Sequence, residues 1–84
     1  MDIAILLFDD LTALDAVGPY EVLKLIPGAR VRFVAKKPGP QRMSGGLVLV
    51  AEESLDEVML PDIVVIPGGP GAAAVARDAE VLRW

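Results

Sequence analysis

The chain has 84 residues and a net charge of −4, and hydrophobic residues make up 54% of it. This composition excludes a disordered or collagen-like chain, and the scattered basic residues argue against a nucleic-acid partner. Cysteine and histidine are both absent, so these residues hold no disulfide, no thiolate zinc site and no Cys–His or Ser–His pair.

The N-terminal apolar run covers only residues 3–8 and has no basic flank, unlike a signal peptide. No run approaches the ~18 apolar residues that a membrane span needs. The sequence therefore predicts no membrane association and a cytoplasmic location.

The first half of the chain predicts a β-α-β unit. Residues 3–8 are apolar without alternation, which is typical of a strand covered on both faces within a parallel sheet. A helix is predicted over residues 19–26, because Pro19 suits the first position of a helix. Its apolar side is formed by Val22, Leu23 and Ile26.

The alternating residues 31–35 predict a second strand nearer the sheet edge, and residues 47–50 predict a short third strand that pairs with residues 41–43. Ser54 and Glu57 have the spacing of a capping box.

A fourth strand is predicted over residues 62–66, again apolar throughout. We expect it to lie next to the first strand in the middle of the sheet, with both strands covered on two faces. Asp78 is expected to cap a last helix. Its apolar residues Val81, Leu82 and Trp84 should need a covering surface, so we expect a truncated domain that orders only with its other half.

The glycine-rich turn at residues 67–71 is the strongest candidate site, because α/β sheets bind ligands at the carboxyl ends of their strands. Glycines let backbone N–H groups approach a ligand closely, although a turn that only needs positive φ would use them too. Residues 69–74 also match a dinucleotide fingerprint, but Pro70 removes one of the amides that would hold phosphate.

Asp15 is a lone carboxylate among apolar neighbours. It fits either a capping role at a helix N-terminus or a proton-transfer role. Asp9 and Asp10 fit a solvated turn better than a metal site.

The chain resembles the ThiJ/PfpI superfamily over essentially its whole length, and the isonitrile hydratase branch fits best. Two patterns carry the resemblance, L-D-x-x-G-P at residues 14–19 and V-I-P-G-G at residues 65–69. The supporting segments are residues 3–8, Tyr20-Glu21-Val22, Pro38-Gly39-Pro40 and Ser44-Gly45-Gly46-Leu47.

The resemblance implies an α/β fold, a flavodoxin-like three-layer sandwich with a mainly parallel sheet, of which residues 1–84 are the N-terminal part. It also implies a homodimer, a small-molecule substrate and no cofactor. Asp15 would act with a cysteine on a strand-to-helix elbow in the missing C-terminal half. The turn at residues 67–69 would form the oxyanion side, with the Gly69 N–H as donor and Gly68 shaping the approach.

The leading functional hypothesis is a lyase that adds water to an isonitrile to give an N-substituted formamide, with the 84-residue chain inactive alone. The alternatives are the glutamine amidotransferase-like, ligand-sensing domain of an AraC-type transcription regulator, and a stress-response hydrolase or redox sensor of the same superfamily. A cysteine at the elbow would favour the enzyme, whereas a DNA-binding tail would favour the regulator.

Overall fold

In a computed structural model the chain forms a four-stranded parallel sheet and a separate hairpin, and all residues are described apart from the side chain of Arg83. The strands are β1 (Asp2–Leu6), β2 (Arg30–Ala35), β3 (Gly39–Arg42), β4 (Val48–Ala51), β5 (Glu53–Ser54) and β6 (Ile63–Val65). The sheet has the order β5-β2-β1-β6, and β3 pairs antiparallel with β4. The predicted hairpin and the predicted α/β fold with a mainly parallel sheet are confirmed.

The burial of β1 and β6 differs, although both were predicted to be covered. β1 lies between β2 and β6, and every residue from 3 to 8 is buried. β6 is adjacent to β1, as expected, but it is an edge strand, with Ile63 and Val64 40% and 41% exposed. The prediction of a central, covered position is therefore wrong for β6 within this chain, because no neighbour among the described residues pairs with its outer side.

Helix α1 (Ala13–Leu23) begins six residues earlier than predicted. Pro19 lies inside the helix rather than at its start. Gly18 permits this, because the residue before a proline usually leaves the helical region through a clash that involves its Cβ, and glycine has none. The cost is one missing hydrogen bond, since Pro19 has no N–H to donate to the carbonyl of Asp15.

The helix face that packs on the sheet is also different from the predicted one. Val22 is 67% exposed, whereas Ala16 is fully buried. Ala13 and Tyr20 lie on the same face as Ala16, and the ring of Tyr20 stacks on Phe33 of β2 with centroids 5.2 Å apart. Small residues and one aromatic ring therefore hold α1 against the sheet.

The C-terminal segment contains two short helices, α2 (Ala72–Ala76) and α3 (Ala79–Arg83). Asp78 caps α3 as predicted, since its Oδ1 accepts from the N–H groups of Glu80 and Val81. The expectation of an uncovered apolar side is correct only for Leu82, which is 70% exposed.

Val81 is buried, and Trp84 packs against the core while its indole N–H donates to the carbonyl of Val58 at 2.7 Å. The segment before β6 thus covers the end of the chain. The capping box is half formed in that segment, where Ser54 N–H donates to Glu57 Oε1 at 3.0 Å. No helix in the described part of the chain is long and apolar enough to cross a bilayer.

Candidate functional site

Asp15 lies in the first turn of α1, just beyond the loop that follows β1. Its N–H donates to the carbonyl of Thr12 at 2.9 Å, and Thr12 is the residue that precedes the helix. The Asp15 carboxylate is exposed and accepts no hydrogen bond from any described residue. The helix dipole favours this carboxylate, but the capping bond that the sequence allowed is not made.

The glycine turn after β6 is pressed against the same loop. Gly68 accepts the N–H of Thr12 at 3.1 Å, and Gly71 donates to the carbonyl of Asp10 at 3.1 Å. Gly69 has φ +138°, and a Cβ there would lie 2.5 Å from Thr12 N and 2.8 Å from Asp10 O. Only glycine fits at position 69, for both its φ and its surroundings.

Asp15 and the glycine turn come together at the carboxyl ends of β1 and β6. A Cβ on Gly68 would lie 3.4 Å from Asp15 Oδ2, which is ordinary contact distance. Here the chain passes from β1 to β2 on one side and later returns to β6 on the other side. Such a reversal is where open α/β sheets bind ligands. The fold therefore brings together Asp15, Gly68 and Gly69.

The N–H groups of this turn differ in whether they form a hydrogen bond within the protein. No described residue accepts a hydrogen bond from the N–H of Gly69. The N–H of Gly71 already binds Asp10. The dinucleotide interpretation fails for this reason, because the second glycine of the fingerprint lies against the β1–α1 loop and leaves no cradle for phosphate.

The acidic turn after β1 is connected to the end of β3 by a hydrogen bond. Asp9 Oδ1 accepts the N–H of Arg42 at 3.1 Å, and Asp10 has a left-handed φ of 63°. The described residues contain no group of three or more acidic side chains that could hold a metal ion.

One ion pair lies near the same end of the sheet. Lys36 follows β2, and its Nζ is 2.6 Å from Asp78 Oδ2. The hydrogen bond from Lys36 is the main reason that the pKa of Asp78 lies below its usual value, with smaller help from the backbone N–H groups at the start of α3. The same bond raises the pKa of Lys36.

Sequence reasoning missed the backbone contacts that hold the site. The carbonyl of Leu11 accepts from Ser44, and Thr12 bonds to Gly68, yet neither contact depends on the type of side chain. Of the residues at these contacts, only Gly69 could be recognised from the sequence, because its positive φ requires a glycine. A β-branched residue at position 69 would collide with Thr12 and would therefore destabilise the turn.

A family model described as the DJ-1/PfpI family matches residues 1–84. The chain belongs to the DJ-1/PfpI family. The isonitrile hydratase of Pseudomonas putida is 33% identical over 84 residues, which are 100% of this chain and 37% of that protein.

Two crystal structures show the same DJ-1/PfpI fold. A ThiJ/PfpI family protein from Pseudomonas syringae has a TM-score of 0.90 and 32% identity, over 98% of this chain and 35% of that one. A DJ-1 superfamily protein from Salmonella typhimurium, solved as a cysteine-to-alanine mutant, has a TM-score of 0.85 and 26% identity, over 96% of this chain and 45% of that one. The predicted fold class is confirmed, and the chain spans less than half the length of these relatives.

Proposed function

We propose that this chain supplies the proton-transferring carboxylate and the oxyanion turn of an isonitrile hydratase-like enzyme. The observation that carries the proposal is the position of the Asp15 carboxylate beside Gly68, where a Cβ on Gly68 would lie 3.4 Å from Asp15 Oδ2, at the point where β1 and β6 end. The identity with the Pseudomonas putida isonitrile hydratase, which extends over the whole chain, supports the choice of reaction.

The nucleophile in this proposal is a cysteine outside residues 1–84, since these residues contain none. Its thiolate bonds to the terminal carbon of the isonitrile, and Asp15, which holds the thiol proton, delivers that proton to the carbon. A thioimidate results. One acid–base group beside the reacting carbon suffices for this half of the reaction.

Water completes the proposed reaction. Asp15 takes one proton of the water and passes it to the nitrogen as the oxygen bonds to the carbon. The carbon–sulfur bond then breaks, and Asp15 accepts the second proton as the carbonyl forms. The products are an N-substituted formamide, the thiolate and a protonated Asp15, so the cycle closes without a cofactor.

Gly69 and Gly68 have separate proposed roles. The Gly69 N–H, which no described residue accepts, donates to the oxygen as its second proton leaves and negative charge develops there, as a preorganised backbone donor does in an oxyanion hole. Gly68 leaves room beside Asp15, because a Cβ at position 68 would already be in contact with Oδ2 at 3.4 Å.

We also propose that residues 1–84 are the N-terminal part of one larger domain, which assembles as a cytoplasmic homodimer. The exposed edge of β6 and the larger size of the relatives support the first part, and the family resemblance supports the second. We expect the chain alone to be partly ordered or aggregated and to become soluble when mixed with the remainder. A cooperative, monomeric thermal transition of the isolated chain would contradict this.

The test of the proposed function is Asp15→Asn in the full-length protein that contains this chain. A proton-transfer carboxylate must ionise, so we expect formamide formation to fall by roughly 10²–10⁴-fold. The thermal melt should change little, because the Asp15 carboxylate makes no capping bond. Glu21→Gln is the matched control, since Glu21 is an exposed carboxylate on the same helix, and it should retain activity.

Activity of Asp15→Asn within a few-fold of the parent would remove Asp15 from the mechanism. It would favour the alternative of a ligand-sensing domain.

A further inference from the structure

The loop between β1 and α1 is held from two sides before the chain reaches Asp15. On the hairpin side, the N–H of Asp10 donates to Arg42 O at 2.9 Å, and the N–H of Ser44 donates to Leu11 O at 2.8 Å. On the opposite side are the two bonds to the glycine turn already described, which use the N–H of Thr12 and the carbonyl of Asp10. The start of α1 therefore depends on both supports.

Asp9 adds the one side-chain bond to the hairpin support. Both backbone polar groups of Arg42 form hydrogen bonds with the loop. Its N–H donates to the Asp9 carboxylate, and its carbonyl accepts the N–H of Asp10. An open cleft of about 490 Å³ separates the loop from the outer part of the hairpin, and Pro40 and Val48 line it with these residues. Hydrogen bonds connect the two segments beside this cleft.

We propose that Asp9 is a positioning residue for Asp15. Its carboxylate fixes the loop to the end of β3, and so fixes where α1 begins and how Asp15 faces Gly68. A bond to an ionised acceptor is stronger than a neutral one, which suits a carboxylate in this position. The inference rests on the proposed function, because it gives Asp9 its effect through Asp15.

The neighbouring Asp10 shows that an acidic side chain in this turn does not necessarily bind the hairpin. It carries the same charge and is also exposed, but its carboxylate accepts no hydrogen bond from the described residues. Asp10→Asn is therefore a matched control, since asparagine also tolerates the left-handed φ of this position.

The experiment compares Asp9→Ala, Asp9→Asn and Asp10→Asn in the full-length protein. Small displacements of a reacting group lower turnover steeply, so we expect Asp9→Ala to lower kcat for a simple alkyl isonitrile by about tenfold. KM should change by less than about twofold, because Asp9 does not touch the substrate. Asp9→Asn keeps an acceptor oxygen and should restore most of the activity, and Asp10→Asn should match the parent.

A second readout is independent of turnover. The ¹³C carboxyl signal of Asp15, assigned by its loss in Asp15→Asn, should move in Asp9→Ala and stay in place in Asp9→Asn and Asp10→Asn. An unmoved signal in Asp9→Ala, or equal losses of kcat in Asp9→Ala and Asp10→Asn, would overturn the positioning role. If the parent hydrates no isonitrile, the proposed function fails, and the Asp15 signal alone then decides the role of Asp9.

Discussion

Toward the amino end of β1 charged side chains supplement the backbone hydrogen bonds between the strands, whereas beyond its carboxyl end backbone groups make most of the connections. Arg32 of β2 is only 16% exposed, and it binds Asp2 at 3.1 Å and Glu53 at 2.8 Å. Asp62 joins the same end, because its Oδ2 accepts the N–H of Asp2 at 2.7 Å. Three acidic side chains are thus occupied in holding strands together.

The carboxyl end is assembled from peptide groups of the β1–α1 loop, the hairpin and the glycine turn. Such bonds hold the loop without using the carboxylate of Asp15, which remains free of protein partners among the described residues. A carboxylate already bound to an arginine is a poor candidate for proton transfer, so chemistry that needs a free carboxylate is better placed at the carboxyl end. The two ends should therefore respond differently to substitution.

The largest effect is expected from Gly71→Ala. A methyl group there would fall on the carbonyl of Asp9 and 3.2 Å from the ring of Phe8, so the glycine turn would have to move away from the loop. We expect a loss of about 3 kcal/mol in the free energy of unfolding, measured by urea denaturation of the full-length protein that contains this chain.

The control for Gly71→Ala is Gly45→Ala, at a position with φ +88° and no atom within 4 Å of an added Cβ. It should cost only the left-handed conformation, about 1 kcal/mol. Equal losses in the two variants would show that the close approach of the glycine turn does not hold the carboxyl end.

A smaller effect is expected from Arg32→Met, which removes the ion pairs of Arg32 with Asp2 and Glu53. Thermal stability should fall, because Asp2 and Glu53 would lose their partner. Part of the loss is offset, since the buried Arg32 Nε has no hydrogen-bond partner among the described residues, and methionine removes that unpaired donor.

Arg30→Met is the matched control for Arg32→Met. Arg30 is an exposed arginine on the same strand and forms no ion pair with a described residue, so its replacement should leave the melting temperature nearly unchanged. The Arg32→Met difference should shrink in about 1 M salt, where charges are screened within a few ångströms. A salt-independent difference would mean that packing, rather than charge, holds the amino end.

Local signals explain why most of the sheet was predictable. The apolar run of β1 indicates a strand that is buried on both faces, and the structure buries all of it. The spacing at Asp78 identifies a cap because the accepting oxygen and the donating N–H groups lie within three residues of each other.

The failures came from interactions that the local sequence does not encode. Pro19 predicts too late a start for α1, because proline suits the first position of a helix, whereas Gly18 allows proline inside the helix. The edge position of β6 is not predictable from its apolar run. The run indicates that the strand is suited to burial, but residues 1–84 supply no strand that pairs with its outer side. The meeting of Asp15 with Gly68 depends on tertiary pairing of β1 with β6, and only the family pattern suggested it.

The smallest effect is expected from Asp78→Asn, which tests the Lys36–Asp78 ion pair near the carboxyl end. Asparagine keeps an oxygen for capping α3 but cannot ionise, so the parent and the variant differ mainly by the charge interaction. Because Lys36 holds the pKa of Asp78 below its ordinary value of 3.8, the carboxylate stabilises the fold above that pH. This contribution is lost as the pH falls through the lower, folded-state pKa.

The pKa of Lys36 determines the alkaline pH at which the stabilising effect of the ion pair is lost. Its pKa is raised above the ordinary 10.5, so its stabilising effect is fully present below that pH and is lost as the pH rises through the folded-state value. The difference in unfolding free energy between parent and Asp78→Asn should therefore be flat from about pH 5 to 9 and close at both extremes. It should remain small, because the side chain of Lys36 is 48% exposed and water screens the pair. A difference larger than that of Arg32→Met would contradict the proposed contrast between the two ends of the sheet, because charge would then hold the carboxyl end as firmly as the amino end.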